Sequence, residues 1–294
     1  MTVFGTAFAA TVLLCLAGCA ATVADPNLEQ RMGNDPQTLL CDCCKDAETM
    51  SAGFVRVLED NAEEVVPLMR AVEFRRGFLV GHPEARTQLF DAVQPLDVLL
   101  VAMGHTLSGR MTSGYLQHAA IYLGDEEDLR DLGIWDHPVI VPLQSAMHAG
   151  AVVIAANGDA VRLIGPDVLF NADGIAAFAP KGLTRAETRA GILSLVGGLG
   201  TPFDFHFDLD TDDAVFCVEL LRMGLPNLPL PEREIYGRTT AAPDQLAADA
   251  LQGRNSLVFR GFLYGRRDMW GIGSSTMLAQ TIVRAWGAEP PQED

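Results

Sequence analysis

Six short apolar segments follow one another between residues 94 and 182, and they set the strongest limit on the fold. Each contains β-branched or other apolar residues, and glycine, proline, aspartate or asparagine separates it from the next. Short apolar runs bounded by such turn residues are typical of β-strands. The segments are residues 94–104, 116–124, 137–143, 150–157, 159–165 and 174–182. Their close succession predicts an antiparallel sheet or a small barrel, with a hairpin turn at residues 157–159.

Helical patterns lie on both sides of these predicted strands. They occupy residues 47–76 (with a kink at Pro67), 81–93, 184–198, 214–225 and 274–286. Thr184 and Glu187 have the spacing of a capping box, so a helix is expected to begin there and to stop at Gly197 or Gly198. The chain has no internal repeat and no long linker. It is therefore predicted to form one main α+β domain, with its sheet packed against helices and extra helices at both ends.

The N-terminus has the features of an export signal. Residues 3–18 are apolar and uncharged, a length typical of a signal peptide and too short to span a bilayer. The letters LAGC at residues 16–19 resemble a bacterial lipobox, in which the chain is cut before the cysteine and Cys19 is lipidated. A plain secretory signal or a buried helix is the alternative, since no basic residue precedes Arg31. We expect a protein held in a bacterial cell envelope by a lipid anchor, at the outer membrane or its periplasmic face.

These features divide the chain into five parts. The parts are a signal peptide at residues 1–18, a polar tether at 19–45, a helical N-terminal extension at 46–92, the main domain at 93–262, and a C-terminal helix with an acidic tail at 263–294. Contact with the membrane is expected through the lipid anchor.

The charge balance excludes one class of partner. The formal net charge is −17 and the sequence pI is about 4.6. Proteins that bind phosphates need clustered Lys and Arg residues, and no such cluster occurs in the sequence. Nucleic acid and anionic lipid headgroups are therefore not expected as electrostatic partners.

Four cysteines follow the predicted lipidation site. Cys41, Cys43 and Cys44 match no standard zinc spacing, and disulfide formation is the simpler expectation in an oxidising compartment. Pairing of Cys41 with Cys44, or of either with a partner chain, stays open. Cys217 stands apart from this group, inside an apolar helical pattern.

Cys217 and His118 are of the residue types that make a thiol nucleophile and its base. Cys217 is placed where a helix is predicted to begin, and such positions can lower a cysteine pKa from about 8.5 to roughly 3.5–7.5. His118 opens a predicted strand, from which its imidazole could accept the thiol proton. Composition alone does not bring the two together, and a buried, inert cysteine is the alternative.

Three motifs in this order carry a resemblance to a known family. They read LDVLLV at residues 96–101, HAAIYLG at 118–124 and GTPFDFHFDLDTDDAVFCVELL at 200–221. The sequence resembles the permuted papain-like cysteine hydrolases of the YiiX/YaeF type, relatives of the NlpC-type cell-wall peptidases and of lecithin retinol acyltransferase. The resemblance covers residues 93 to about 230. It implies a circularly permuted papain-like fold in which the histidine precedes the cysteine.

Carried over by position, the resemblance implies roles for individual residues. Cys217 matches the nucleophile, its backbone N–H an oxyanion donor, and His118 the general base. Asp97 matches an acidic residue of structural role, and Glu219 matches a common family position that serves packing or an ion pair. No cofactor and no metal are expected for this protein.

The third member of the catalytic group departs from the family pattern. Relatives often carry a Glu on the strand after the histidine, and the corresponding position here is Ala155. Asn157 or Asp159 is the candidate substitute, because an amide or a carboxylate oxygen can accept the imidazole N–H. The missing carboxylate makes weak or lost activity one of the expectations.

Other polar and aromatic residues near these motifs are candidates for binding. His105 and Phe203 flank the predicted cleft and are expected to contact substrate. Asp208, Asp210, Asp212 and Glu219 fall at EF-hand positions, but Asp213 replaces the required glycine. A solvated acidic turn is therefore expected there, and no metal site.

Two classes of function remain at this stage. The first is an envelope-anchored thiol hydrolase, amidase-like or peptidase-like, which acts through an acyl-enzyme on peptide or acyl amide or ester substrates of the envelope. The second is a non-catalytic ligand-binding or scaffolding module with the same fold. A lipid acyltransferase or thioesterase is a further alternative within the thiol class.

Overall fold

The computed structural model describes residues 40, 43–44, 60–61, 64–65 and 71–287. The predicted signal peptide, Cys19, nearly all of the tether, and most of the helical pattern at residues 47–76 lie outside the described residues, so they remain predictions. Within the described part, no helix is long and apolar enough to cross a membrane.

A seven-stranded antiparallel sheet forms the centre of the molecule. Its strands are β1 (Val98–Ala102), β2 (His118–Tyr122), β3 (Val153–Asn157), β4 (Ala160–Ile164), β5 (Gly174–Pro180), β8 (Leu257–Arg266) and β9 (Met269–Gly273). The strand order is β4-β3-β2-β1-β5-β8-β9. A separate hairpin contains β6 (Arg233–Ile235) and β7 (Arg238–Thr240). The antiparallel sheet is confirmed, and over the described residues it stays open and does not close into a barrel.

Helices surround this sheet. They are α1 (Pro83–Ala92), α2 (Leu107–Met111), α3 (Glu126–Asp131), α4 (Gln144–His148), α5 (Pro166–Leu169), α6 (Arg185–Gly197), α7 (Leu220–Gly224), α8 (Pro243–Leu251) and α9 (Ser275–Gly287). The capping box at the start of α6 is present as predicted, with Thr184 as N-cap and Glu187 reaching back to it. The helices predicted within residues 81–93 and 274–286 are confirmed as α1 and α9.

Strands β1 and β2 are buried at every position. Successive side chains of a strand point to opposite faces, so burial without alternation requires cover on both faces. Helix α8 packs against β1 and α7 against β2. The ring of Phe90 in α1 lies 5.9 Å from that of Tyr122. This two-sided cover explains why both segments are apolar throughout.

The strand predicted at residues 137–143 is wrong. Two prolines, Pro138 and Pro142, interrupt this segment, and proline cannot donate a ladder hydrogen bond. The segment folds into turns and a short 3-10 helix, Val141–Leu143, with the Leu143 N–H donating to the Ile140 carbonyl at 2.8 Å. Val139 and Val141 are exposed.

The predicted boundary at residue 262 falls inside β8. This strand pairs with β5 on one side and β9 on the other, so both belong to the central sheet. Sequence analysis did not predict β8, β9 or the β6–β7 hairpin, because glycines and arginines interrupt their apolar pattern. Helix α9 packs on β8 and β9 as part of the same unit.

Residues 72–78 form a segment that we call the N-terminal strap. The strap runs antiparallel to the loop after β1, where the Phe74 N–H donates to the His105 carbonyl and the Leu107 N–H to the Val72 carbonyl, both at 2.9 Å. Arg75 makes two hydrogen bonds to Asp173, at 2.7 and 2.8 Å. The strap is thereby fixed to the main domain.

Candidate active site

His118 occupies the first position of β2 and is 8% exposed. On one side, it lies opposite Val101 of β1. On the other side, β2 pairs with β3 in a register that sets Ile121 opposite Ile154. Continued to the strand ends, this register sets Asn157 opposite His118. Residues directly opposite each other in an antiparallel pair project from the same face, so these two side chains share a face of the sheet.

The hairpin between β3 and β4 separates the two candidates for the third member. Gly158 has φ +78°, a left-handed conformation that suits glycine in a two-residue turn. Asp159 follows in the turn, where its side chain is 83% exposed and forms an ion pair with Arg162. Asn157 is half-buried at the end of β3. The geometry therefore favours Asn157 over Asp159 as the partner of His118.

Ala155, the position where relatives often carry a carboxylate, is fully buried in β3. Continuing the same register sets Ala155 opposite Ala120 rather than opposite His118. An alanine at this position leaves the apolar packing of two neighbouring strands intact. The residue that faces His118 is two positions further along β3.

The segment that leads to Cys217 runs along the free edge of β4. Pro202 pairs with Ala160 in an antiparallel bridge, and Phe203 pairs with Val215 in a parallel one. The Val215 N–H donates to the Pro202 carbonyl at 2.9 Å. These bonds fix the backbone two residues before Cys217 to the edge of the sheet.

Cys217 carries a buried thiol, 6% exposed, in the turn that precedes α7. The helix is shorter than the predicted span of residues 214–225. It begins at Leu220, although the Leu220 N–H already donates to the Phe216 carbonyl at 3.0 Å, as in a helix. The turn with Cys217 leads directly into α7, and α7 packs against β2, the strand that opens with His118.

Glu219 lies in the same turn as Cys217. Its carboxylate accepts a hydrogen bond from the Phe216 backbone N–H. Its Oε2 atom is buried and has no hydrogen-bond partner among the described residues. Burial raises the pKa of Glu219 to about 7, and the carboxylates of Asp204 and Asp208 act in the same direction. The sequence motif identified this position but not the burial that raises its pKa.

The acidic loop before Cys217, residues 204–213, is organised by its own carboxylates. The buried side chain of Asp204 accepts hydrogen bonds from the His206 N–H at 2.7 Å and from the Asp208 N–H at 2.6 Å. Asp208 accepts a bond from the Asp210 N–H at 3.1 Å. In the described part of the chain, no group of three or more His, Cys, Asp or Glu residues is arranged to hold a metal ion.

Four phenylalanines form an aromatic cluster next to this loop. The Phe203 ring lies 5.1 Å from that of Phe205 and 5.7 Å from that of Phe207, which in turn lies 5.8 Å from Phe216. Phe203 is buried, whereas Phe207 is 37% exposed. Phe207 also has φ +57°, unusual for a bulky residue. The exposed ring of this cluster is therefore Phe207, whereas Phe203, the residue expected from the sequence to contact substrate, is buried.

His105 is fully buried, which does not fit the expectation that it contacts substrate. It lies beneath the strap, and neither ring nitrogen has a hydrogen-bond partner among the described residues. Burial lowers the pKa of His105, against the nearby carboxylates of Asp173 and Glu73. A neutral packing residue is the role that this environment supports.

Two buried carboxylates support the sheet from opposite ends. Asp97 accepts a hydrogen bond from the Gln94 N–H at 2.9 Å and forms an ion pair with Arg260, in keeping with a structural role. Asp244 accepts bonds from the Tyr115 N–H, the Leu116 N–H and the Trp286 Nε1–H, each at 2.7 Å. Sequence analysis missed Asp244, because an acidic residue in the first turn of a helix has an ordinary explanation.

The cysteines near residue 41 contain a pairing that the spacing did not suggest. Cys43 and Cys44 are joined in a disulfide between neighbouring residues. Cys44 is buried, and its carbonyl accepts a hydrogen bond from Arg233. Cys41 lies outside the described residues.

Comparison with known proteins agrees with this geometry. Residues 92–284, about two thirds of the chain, match the model of the family described as permuted papain-like amidase enzyme, YaeF/YiiX, C92 family. No curated protein and no solved structure gives a significant match. The fold therefore defines a protein of the papain-like thiol hydrolase class. Within that class, the chain belongs to the family of permuted papain-like amidases of the YaeF/YiiX type.

Proposed function

We propose that this protein hydrolyses amide bonds through Cys217 as nucleophile and His118 as general base. The observation that carries the proposal is the packing of α7, which follows the Cys217 turn directly, against the strand that opens with His118. The family match supports the same reaction class. Asn157, opposite His118 in the continued register of β2 and β3, is the residue that would orient the imidazole.

The proposed reaction proceeds through a covalent acyl-enzyme. His118 takes the thiol proton, and the Cys217 sulfur attacks the carbonyl carbon of the amide. The Cys217 backbone N–H donates to the oxygen that becomes negatively charged. His118 then gives its proton to the leaving amine as the C–N bond breaks. Water, deprotonated by His118, cleaves the thioester and restores the thiol.

Thiol alkylation tests this assignment without a known substrate. Iodoacetamide at pH 6 is expected to modify Cys217 in the wild type. Mass spectrometry of the peptide that contains Cys217 measures the rate of this modification. His118→Ala should slow that modification at least about tenfold, because the imidazole no longer supports the thiolate. His148→Ala removes an exposed histidine bonded to Glu126 and should leave the rate unchanged. Equal rates in the wild type and in the His118 variant would rule out the proposed pair.

A further inference from the structure

Glu219 and Glu187 both lie at helix starts, Glu219 as the N-cap of α7 and Glu187 as the third residue of α6, and their surroundings differ. Each carboxylate reaches back to a backbone N–H three residues earlier, that of Phe216 and that of Thr184. Glu187 is exposed, and its hydrogen bonds to Thr184 lower its pKa. Glu219 is half-buried, and its pKa is raised. Both carboxylates accept a hydrogen bond from a backbone N–H, so burial and neighbouring charge account for the difference between their pKa shifts.

The groups around Glu219 do not neutralise its charge. Asp204 and Asp208 face it from the acidic loop, and both disfavour a further negative charge. Arg222 of α7 favours the charged form of Glu219, but it also forms an ion pair with Glu232. A buried Oε2 atom without a hydrogen-bond partner is easier to accommodate when the carboxyl group carries a proton.

We propose that Glu219 is a positioning residue for Cys217. Its carboxyl group holds the turn through the Phe216 N–H, and the proton on that carboxyl group governs how readily the neighbouring thiol ionises. This inference rests on the proposed function of Cys217. When Glu219 is ionised, two negative charges share one turn and the thiolate is disfavoured. When Glu219 is protonated, the thiolate is the only new charge.

The pH profile of Cys217 alkylation by iodoacetamide tests this coupling. Glu219→Gln keeps an oxygen that can accept the Phe216 N–H but carries no charge. We expect its profile to match that of the wild type near pH 5. Above pH 7, in the range where the Cys217 thiol is not yet fully ionised, Glu219→Gln should react about threefold to tenfold faster than the wild type. Glu187→Gln makes the same change at the start of α6 and should follow the wild-type profile within about twofold.

A purely structural role for Glu219 predicts a different result. A change in the bond to the Phe216 N–H alone would change the rate by the same factor at every pH, so a constant ratio between variant and wild type overturns the proposal. Glu219→Ala, which removes the bond to the Phe216 N–H, should lower Tm by about 3 °C relative to Glu219→Gln. If His118→Ala slows alkylation but Glu219→Gln matches Glu187→Gln, the catalytic pair stands and this inference fails.

A second measurement does not depend on how fast the thiol reacts. In protein labelled with ¹³C at the glutamate carboxyl groups, one carboxyl is expected to titrate near pH 7 and to be absent in Glu219→Gln. Cys217→Ala should lower that midpoint, because two coupled groups shift each other reciprocally. A Glu219 midpoint near the ordinary value of about 4.3 overturns the proposal. So does a midpoint that is unchanged by Cys217→Ala.

Discussion

Asn157 and Asp159 lie two positions apart in the chain and have different environments. Asn157 ends β3, opposite His118 when the β2–β3 register is continued, whereas Asp159 is a turn residue with an exposed side chain paired to Arg162. From the sequence, both residues are candidates to orient His118. The pairing register of β2 and β3 is what distinguishes their positions relative to His118. A carboxylate has the stronger affinity for an imidazolium, but position decides which residue can act.

The two residues should therefore respond differently to truncation. Asn157→Ala is expected to slow alkylation of Cys217 at pH 6 by at least about tenfold, because His118 loses the group that orients it. Asp159→Ala should leave the rate within about twofold of the wild type. Measuring both with iodoacetamide gives the comparison directly. A larger effect of Asp159→Ala than of Asn157→Ala would instead assign the role of orienting His118 to Asp159.

At the scale of elements, Asp244 ties helix α8 to the residues before β2. It is fully buried, and its three hydrogen bonds reach Tyr115, Leu116 and the indole of Trp286 in α9. His118 follows Leu116 by two residues. The position of this strand start thus depends on a carboxylate from a helix about 130 residues later in the chain, which no local pattern reveals.

Replacing Asp244 by asparagine should destabilise the protein in a pH-dependent way. The amide NH₂ would face N–H donors, at a cost on the order of 2 kcal/mol. Burial raises the pKa of Asp244 to about 7, so the wild type gains stability from this group at low pH and loses it as pH rises towards 7. The difference from Asp244→Asn should therefore be largest near pH 5 and shrink by pH 8.

Thermal unfolding between pH 5 and 8 measures this trend. Asp268→Asn, an exposed change in the β8–β9 turn, is the matched control and should parallel the wild type. Parallel curves for the wild type and Asp244→Asn would contradict the titration of Asp244 in the folded state.

At the scale of the whole molecule, the fold was easier to predict than the environment of the site. Short apolar strands and the capping box at Thr184 are local signals, and they gave the antiparallel sheet and helix α6. The strand at residues 137–143 failed because apolar content outweighed its two prolines. The burial of His105 and the register of β2 and β3 come from contacts between distant segments, which the linear pattern does not contain.

The net charge of the molecule should govern which reagents reach Cys217. The chain carries −17, and the acidic loop adds carboxylates beside the nucleophile turn. Iodoacetate is negatively charged and iodoacetamide is neutral. The negative charge of the protein should therefore slow the reaction of Cys217 with iodoacetate, relative to iodoacetamide, at low ionic strength. Raising the salt concentration from about 0.01 M to about 0.5 M should reduce the iodoacetamide-to-iodoacetate rate ratio at least about threefold.

The triple variant Asp210→Asn, Asp212→Asn, Asp213→Asn separates the loop from the rest of the surface. These three side chains are exposed, and their replacement should remove a large part of the salt effect. A salt effect of unchanged size would assign the discrimination to the whole surface. An iodoacetamide-to-iodoacetate rate ratio that does not change with salt concentration would contradict the electrostatic explanation.

The strap and helix α9 are attached to the same short stretch of chain. The strap pairs with residues 105–107, and α9 reaches residues 115–116 through Asp244. Local opening of that stretch would release both attachments at once and would free the backbone just before His118. Partial unfolding at this corner therefore removes the proposed base while most of the sheet is still intact. An opening at this corner that costs less free energy than global unfolding would set the resistance to inactivation, whatever the stability of the whole domain.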